Sequence, residues 1–99
     1  MKKTILVIED HEDSRRIMYD LFTNSGYEVI LSDNGLEGVD AAVNHRPDLI
    51  LMDIQLPGID GYEATRRIKA NTELRGIPII VVTSYALSGD DNKAFKAGC

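Results

Sequence analysis

Two groups of acidic residues stand directly after apolar segments of this sequence. Glu9 and Asp10 follow the apolar run at residues 4–8, and Asp53 follows the run at residues 48–52. Two unit charges about 4 Å apart repel each other by roughly 4 kcal/mol at an effective dielectric constant near 20. If these carboxylates meet in the folded protein, they therefore require either a bound cation or a raised pKa.

Carboxylates in such an arrangement suit phosphoryl chemistry. Hard oxygen ligands favour Mg²⁺, which commonly binds one or two protein carboxylates together with phosphate oxygens. The ion stabilises charge on a transferring phosphoryl group, and a carboxylate such as Asp53 can accept that group as an acyl phosphate. Any one acid alone is better explained as a helix-capping or solvated residue. The three acids together, with the hydroxyls of Thr83 and Ser84 at the end of a further apolar run, favour a shared site.

The acids meet only if the apolar runs form neighbouring strands of one sheet. Three of the four runs are nearly continuous in Ile, Leu and Val, which is typical of parallel strands covered on both faces. The predicted strands are residues 4–8, 28–32, 48–52 and 78–83. Helical segments follow each of them, and this order predicts a parallel sheet built through right-handed crossovers. Ligands of such sheets bind outside the carboxyl ends of the strands.

Helix boundaries and helix faces are also visible in the sequence. A capping residue three positions before an acid predicts a helix start at Asn34, Asp60 and Ser88. Gly26, Gly76 and Gly98 stand where helices are expected to end. Apolar residues at helical spacing predict the faces that pack on the sheet. These residues are Ile17, Leu21, Phe22, Leu36, Val39, Val43, Ala64 and Ile68.

Composition and charge restrict the class of protein. The 99 residues are 43% hydrophobic and 27% charged, as in an ordinary globular domain. The formal net charge of -5 argues against general nucleic-acid binding, which depends on clustered Lys and Arg. No apolar stretch approaches the roughly 20 residues of a membrane span, and a single cysteine, Cys99, excludes a disulfide framework within the chain. We therefore expect one cytoplasmic domain, residues 1–99, that binds neither nucleic acid nor a membrane.

These motifs together resemble the receiver domain of two-component response regulators. The resemblance runs from Lys3 to Cys99 and is carried by the segments LVIED, LILMDIQLPGIDG, IPIIVVTS and AGC, in this order and spacing. Single-domain receivers and receivers attached to hybrid histidine kinases are the nearest in character. The fold that the resemblance implies is α/β: a flavodoxin-like (CheY-like) doubly wound parallel sheet of strand order 2-1-3-4, truncated before the fifth strand.

The resemblance implies a role for each matched residue. Asp53 would accept a phosphoryl group from a phosphohistidine on a histidine kinase or a histidine phosphotransfer protein. The domain would assist only its own phosphorylation and dephosphorylation and would not be an enzyme. Asp10, Asp53 and the backbone carbonyl of Gln55 would bind Mg²⁺ directly, with Glu9 acting mainly through water. Thr83 would hydrogen-bond the phosphoryl oxygens and act as a switch.

Two further positions match residues that modulate the phosphoryl group in this family. Ser84 stands where a small residue leaves room for the group, and Tyr85, like Gln55, stands where side chains tune the lifetime of the phosphorylated state.

One feature of the family has no counterpart in the sequence. Receivers carry a lysine at the end of a fifth strand that pairs with the phosphoryl oxygens, and this position would lie beyond Cys99. The resemblance therefore implies an incomplete domain in which Mg²⁺ binding survives better than phosphotransfer. It also implies an open sheet edge at residues 78–83 that a second chain would cover. The alternative function is a receiver-fold binding or scaffold fragment that is not phosphorylated.

The remaining polar candidates are interpreted as surface residues. His11 follows the acidic pair and has the chemistry of a metal ligand or general base, but receivers bind magnesium through oxygen, and we interpret it as a loop histidine. His45, at a predicted helix end, is given no catalytic role. Arg66, Arg67 and Lys69 form a basic stripe that we interpret as a solvated face.

A phosphatase of the haloacid-dehalogenase type is the main enzymatic rival. Such phosphatases also use an aspartate nucleophile and magnesium on a parallel sheet, but they place a second aspartate two residues after the nucleophile. Gln55 occupies that position here, which argues against the rival. A nucleotide-binding enzyme is disfavoured too, because neither a G-x-G-x-x-G motif nor a P-loop follows the first strand.

Overall fold

The sheet and helices follow the order that the apolar runs predict. The structure, a computed structural model, describes residues 2–81. Its strands are β1 (Thr4–Ile8), β2 (Glu28–Ser32), β3 (Leu49–Met52) and β4 (Ile79–Val81), and its helices are α1 (Glu12–Asn24), α2 (Gly35–His45) and α3 (Gly61–Ala70). The strands lie in the order β2-β1-β3-β4, and every pair is parallel. The predicted doubly wound topology is therefore confirmed.

The strand register brings the carboxyl ends of the central strands to one edge of the sheet. Ile8, the last residue of β1, pairs with Ser32 of β2 and with Met52 of β3. The ladder continues one step past the strands, because the backbone N–H of Asp53 donates to the carbonyl of Ile8 at 2.9 Å. Residues that follow β1 and β3 are consequently neighbours.

Alternate residues of β1 serve two separate apolar clusters, one on each face of the sheet. Ile5 and Val7 face the cluster that includes Met18 and Phe22 of α1. Leu6 and Ile8 belong to the larger cluster on the opposite face, which also contains residues of α2 and α3. All of β1 from Ile5 onward is buried, which explains why its sequence is continuously apolar instead of alternating.

Helix α2 approaches the sheet through small residues, and this corrects part of the predicted helix face. Gly35, Gly38 and Ala42 are buried, whereas Leu36 and Val43 are exposed. A Cβ atom on Gly38 would lie 2.8 Å from Cγ1 of Ile8, so a larger residue would hold the helix away from β1. Only Val39 of the three predicted residues packs against the core.

Helix α1 shows a similar shift of its buried face. Phe22 packs against the sheet as predicted, but its partner is Met18, one helical turn earlier. Ile17 and Leu21 are 66% and 57% exposed, so their prediction as sheet-facing residues is wrong. The sequence offers two adjacent apolar stripes at i, i+4 spacing, and periodicity alone does not tell which of them meets the sheet. In α3 the predicted residues Ala64 and Ile68 are fully buried.

Helix caps confirm two of the three predicted starts. The side-chain oxygen of Asn34 accepts a hydrogen bond from the N–H of Glu37, and that of Asp60 accepts one from Glu63, each at 2.8 Å. The predicted start at Ser88 lies outside the described residues.

The predicted helix ends give a mixed result, and the one at Gly98 lies outside the described residues. Gly26 follows α1 with φ of 94°, a conformation that favours glycine. Helix α3 ends at Ala70, so the prediction that it stops near Gly76 is wrong. The reason is Asn71, whose side-chain oxygen accepts from the N–H of Glu73 at 2.9 Å and so starts a turn directly after the helix.

Within residues 2–81, no helix combines the length and apolar character that a bilayer crossing requires.

Candidate metal centre

Four polar side chains converge at the carboxyl edge of the sheet. Glu9, Asp10, His11 and Asp53 each offer one ligand atom, and these atoms all lie within 4.8 Å of one another. The structure thus brings together the three acids that the sequence singled out. It adds His11, which the sequence interpretation had left apart from the site.

The strands place the two most buried acids of this cluster. Glu9 is the first residue after β1 and is 6% exposed, and Asp53 is the first residue after β3 and is 9% exposed. The backbone N–H of Glu9 donates to the carbonyl of Ser32 at 3.0 Å, which extends the sheet ladder to this residue. Asp10 is more open to solvent, with its side chain 32% exposed. Glu9 and Asp53 thus form the buried floor of the cluster, and Asp10 and His11 form its exposed rim.

Burial and charge both make the ionised form of Asp53 unfavourable. Loss of hydration, the nearby charge of Glu9 and a hydrogen bond with Glu9 raise the pKa of Asp53 to about 6, against an ordinary value of 3.8. Hydrogen bonds from the backbone N–H groups of Gln55 and Ile54 act in the opposite direction. Without a cation, Asp53 beside Glu9 therefore keeps its proton to a higher pH than an ordinary aspartate does. A divalent cation removes that repulsion, so the donor set fits a hard metal ion.

In the loop after β1, His11 contacts both Glu9 and Asp10. Its Nδ1 atom lies 2.9 Å from Oε1 of Glu9 and 3.1 Å from Oδ1 of Asp10. Its backbone N–H also donates to Oε1 of Glu9 at 3.1 Å. The hydrogen bond to Glu9 and the negative charge of Asp10 raise the pKa of His11. The side chain is 71% exposed, as expected for a loop histidine, yet it contacts both acids.

Arg15 also holds this loop, and the sequence analysis did not predict its contacts. Its Nη1 atom donates to the backbone carbonyl of Glu9 at 3.0 Å and to that of Asp10 at 2.9 Å. Arg15 lies on the first turn of α1, five positions after Asp10, and its acceptors are backbone carbonyls, which no residue type marks in the sequence. Arg15 therefore fixes the backbone that carries two of the candidate ligands.

Replacing Arg15 with alanine should weaken divalent metal binding by about tenfold, the lower end of what outer-shell partners typically contribute. The two carbonyls lose their donor, and the loop no longer presents Glu9 and Asp10 in one orientation. Calorimetric titration with Mg²⁺ measures the effect. The matched control is Arg16→Ala, which removes the same charge from the next residue. Equal affinities in the two variants would contradict a positioning role for Arg15.

The loop after Asp53 approaches the start of α3 very closely. The N–H of Gly61 donates to the carbonyl of Ile54 at 2.8 Å. A Cβ atom at position 61 would lie 2.8 Å from Cα of Ile54 and would overlap the carbonyl of Asp53. Gly58 has φ of 80°, a conformation suited to glycine in the intervening turn. These glycines explain how the chain leaves Asp53 and enters α3 within a few residues.

The other predicted site residues lie in the loop after Asp53 or outside the described residues. Thr83, Ser84 and Tyr85 fall outside residues 2–81, so their roles stay predictions. Gln55 lies in the exposed loop two residues after Asp53.

In the basic stripe on α3, Arg66 and Arg67 are exposed and Lys69 is partly buried, and all three make contacts within the protein. Arg66 and Arg67 both pair with Glu63, at 3.0 and 2.9 Å. Lys69 donates to the carbonyl of Ile77 at 2.8 Å, which ties the helix to the segment before β4.

Comparisons with known proteins agree with this geometry. A family model described as the response regulator receiver domain matches residues 5–99. The polar-differentiation response regulator DivK of Brucella anthropi is 48% identical over 99 residues, which span this whole chain and 80% of the relative.

Solved structures show the same similarity. One is the receiver domain of the sensor histidine kinase PA1611 from Pseudomonas aeruginosa, whose structure has a magnesium ion coordinated in the active site cleft. It is 39% identical with a TM-score of 0.91, and the match covers 99% of this chain and 80% of that one. The phosphorylated cyanobacterial phytochrome response regulator RcpA is 29% identical with a TM-score of 0.87, over 98% of this chain and 76% of that one.

Proposed function

Because this chain belongs to the response regulator receiver domain family, and is therefore a phosphoacceptor domain of two-component signalling, we propose that Asp53 is the residue that accepts the phosphoryl group. The observation that carries this assignment is the convergence of Asp53 with Glu9 and Asp10, within 4.8 Å, after neighbouring parallel strands. Asp53 is the most buried aspartate of the cluster and stands on the floor of the cleft, where a donor can reach it from the open rim.

The proposed cofactor is Mg²⁺. Asp10, Asp53 and the backbone carbonyl of Gln55 would hold it, with Glu9 acting mainly through water. When bound, the ion offsets the carboxylate charges and stabilises the negative charge on the transferring phosphoryl oxygens. The magnesium-containing receiver domain of PA1611 supports this choice, as does a donor set made mainly of carboxylates.

In the proposed reaction, a carboxylate oxygen of Asp53 attacks the phosphorus atom of a phosphohistidine. An oxygen–phosphorus bond forms as the nitrogen–phosphorus bond breaks, and the electron pair returns to the leaving imidazole, which takes up a proton. Asp53 must be ionised to attack, and its pKa of about 6 means that this is so at neutral pH. The backbone N–H groups of Gln55 and Ile54 hydrogen-bond to Asp53 and support its charged form.

The donor that we propose is a histidine kinase or a histidine phosphotransfer protein, and the proposed location is the cytoplasm. The domain's role is signalling, and we propose that it promotes only its own phosphorylation and dephosphorylation. Thr83 is the proposed switch, and Ser84 and Tyr85 are proposed to modulate the lifetime of the phosphorylated state. A second chain that covers the sheet beyond β4 stays a prediction, because residues 82–99 lie outside the described range.

Phosphorylation by a small donor tests the proposal. The protein is incubated with acetyl phosphate and Mg²⁺, and its intact mass is then measured. We expect the added mass of one phosphoryl group, and we expect EDTA to prevent the addition. A folded chain that binds Mg²⁺ but gains no mass would instead support the binding or scaffold role, which none of the comparisons favours.

A further inference from the structure

We infer that His11 is a further ligand of the proposed metal site and that it extends the site's affinity from Mg²⁺ to transition-metal ions that favour imidazole. The inference rests on the proposed metal site at Asp53 and deepens it. It concerns a histidine of this chain, beyond the oxygen ligands that the resemblance implies.

The position of the His11 ring fits that of a metal ligand. In an octahedral site with bonds of about 2.0 to 2.1 Å to nitrogen and oxygen, adjacent ligand atoms lie about 3.0 Å apart. Nδ1 of His11 lies 2.9 Å from Oε1 of Glu9 and 3.1 Å from Oδ1 of Asp10. The ring nitrogen thus stands at the spacing of an adjacent ligand from the carboxylate of Asp10. It is equally close to Glu9, whose carboxylate would contact the metal mainly through water. The fourth group, Asp53, lies within the same 4.8 Å cluster.

Contacts with Glu9 and Arg15 hold the loop that carries the ring. The backbone N–H of His11 donates to Oε1 of Glu9 at 3.1 Å, so Glu9 fixes the backbone as well as the ring. Arg15 fixes the carbonyls of Glu9 and Asp10 on the other side of the loop. Glu9 and Arg15 therefore anchor the loop and the ring of His11 beside the acids, while the His11 side chain is 71% exposed.

Mg²⁺ and transition-metal ions differ in the ligands that they prefer. Mg²⁺ demands oxygen ligands and gives up its waters reluctantly, so it gains little from the ring. Ions such as Zn²⁺, Ni²⁺ and Co²⁺ bind imidazole well. The same cleft is therefore expected to bind Mg²⁺ through oxygen alone and a transition-metal ion through oxygen and His11.

The test compares Co²⁺ and Mg²⁺ binding in two histidine variants. His11→Gln removes the proposed ligand. His45→Gln is the matched control, since His45 ends α2 at the opposite edge of the sheet and is the one other histidine in the sequence. Both variants and the parent carry Cys99→Ser, because a thiol would also bind Co²⁺. Titrations are made at about pH 8, above the ordinary pKa of histidine.

We expect Co²⁺ binding to weaken at least about tenfold in His11→Gln, because even outer-shell partners contribute about 10- to 100-fold. Mg²⁺ affinity should change much less than Co²⁺ affinity, because Mg²⁺ does not use the ring. His45→Gln should match the parent for both ions. Proton NMR of the parent gives a second readout: Co²⁺ should give the ring signals of His11 the large shifts of a directly bound imidazole, and those of His45 only small through-space shifts.

The outcomes separate the inference from the function on which it rests. Equal Co²⁺ affinity in His11→Gln and in the parent, with Mg²⁺ binding intact, would overturn the inference and leave the phosphoacceptor assignment standing. An Asp53→Asn variant that binds both ions as tightly as the parent would overturn the proposed site, and the inference with it.

Discussion

Replacing Asp53 with asparagine is expected to abolish the phosphoryl adduct and, in the absence of divalent cations, to make the fold more stable. The first effect follows because an amide cannot form the acyl phosphate. The second follows because the buried carboxylate of Asp53 lies beside Glu9, an arrangement that raises its pKa to about 6. The site therefore holds charge that disfavours the folded state until a cation binds.

The stabilisation by Asp53→Asn should depend on pH in a defined direction. The folded protein keeps the proton of Asp53 up to about pH 6, whereas the unfolded chain releases it near the ordinary value of 3.8. The free energy of unfolding consequently falls as pH rises through this window, and the loss is complete above it. We expect asparagine to raise the free energy of unfolding by about 1 to 2 kcal/mol above pH 6, a value reduced for solvent screening at the open rim. The difference should vanish below about pH 4.

Urea denaturation in EDTA at about pH 8 and about pH 4 measures this effect. Asp40→Asn is the control, because Asp40 is exposed on α2 and the same chemical change there should alter stability little. Adding Mg²⁺ should stabilise the parent more than Asp53→Asn. A variant that is less stable than the parent at the higher pH, or that still gains a phosphoryl group, would contradict the account of Asp53.

Replacing Gly61 with alanine is expected to lower the free energy of unfolding by about 3 kcal/mol, the upper part of the usual range for overpacking. The added Cβ would lie 2.8 Å from Cα of Ile54 and would overlap the carbonyl of Asp53. These neighbours are backbone atoms, and Ile54 is also held to Gly61 by a hydrogen bond. Relief therefore requires the loop that carries Asp53 to move, so Mg²⁺ affinity should fall together with stability.

Gly76→Ala is the matched control for this prediction. A Cβ atom at Gly76 meets nothing within 4 Å, and the residue is not among the described glycines with positive φ. Alanine there should be neutral or should stabilise the fold by up to about 1 kcal/mol, because it restricts the unfolded chain. Denaturant unfolding and Mg²⁺ titration of both variants provide the comparison. Similar stability of the two variants would show that the close approach at Gly61 is not a constraint on the loop.

The topology and the acidic cluster could be predicted from the sequence because both depend on patterns with few alternatives. Continuous apolar runs separated by helical segments leave little choice except a parallel sheet. Once β1 and β3 are neighbours, the residues after Ile8 and Met52 must meet at the same edge. Glu9, Asp10 and Asp53 therefore lie together for the same reason that the strands pair.

The helix faces and the supporting contacts could not be predicted in this way. Periodicity gives α1 two apolar stripes of equal quality, and only the three-dimensional packing selects Met18 and Phe22 over Ile17 and Leu21. Helix α2 is buried through Gly38 and its small neighbours, which carry almost no hydrophobic signal.

The contacts of Arg15 and His11 were missed for a different reason. Arg15 donates to backbone carbonyls, and any residue type can supply a carbonyl, so no sequence pattern announces the interaction. His11 was set aside because the resemblance pointed to oxygen ligands, whereas its contacts with Glu9 and Asp10 depend on the conformation of one short loop.

The most direct test of the central claim, that the acidic cluster directs a phosphoryl group onto Asp53, is to locate that group after reaction with acetyl phosphate and Mg²⁺. Borohydride reduction converts an aspartyl phosphate to homoserine, which tandem mass spectrometry then assigns to a position. The account predicts homoserine at position 53, dependent on Mg²⁺, and at no other aspartate. Modification of Asp10 or of a histidine in place of Asp53, or equal labelling in EDTA, would contradict it.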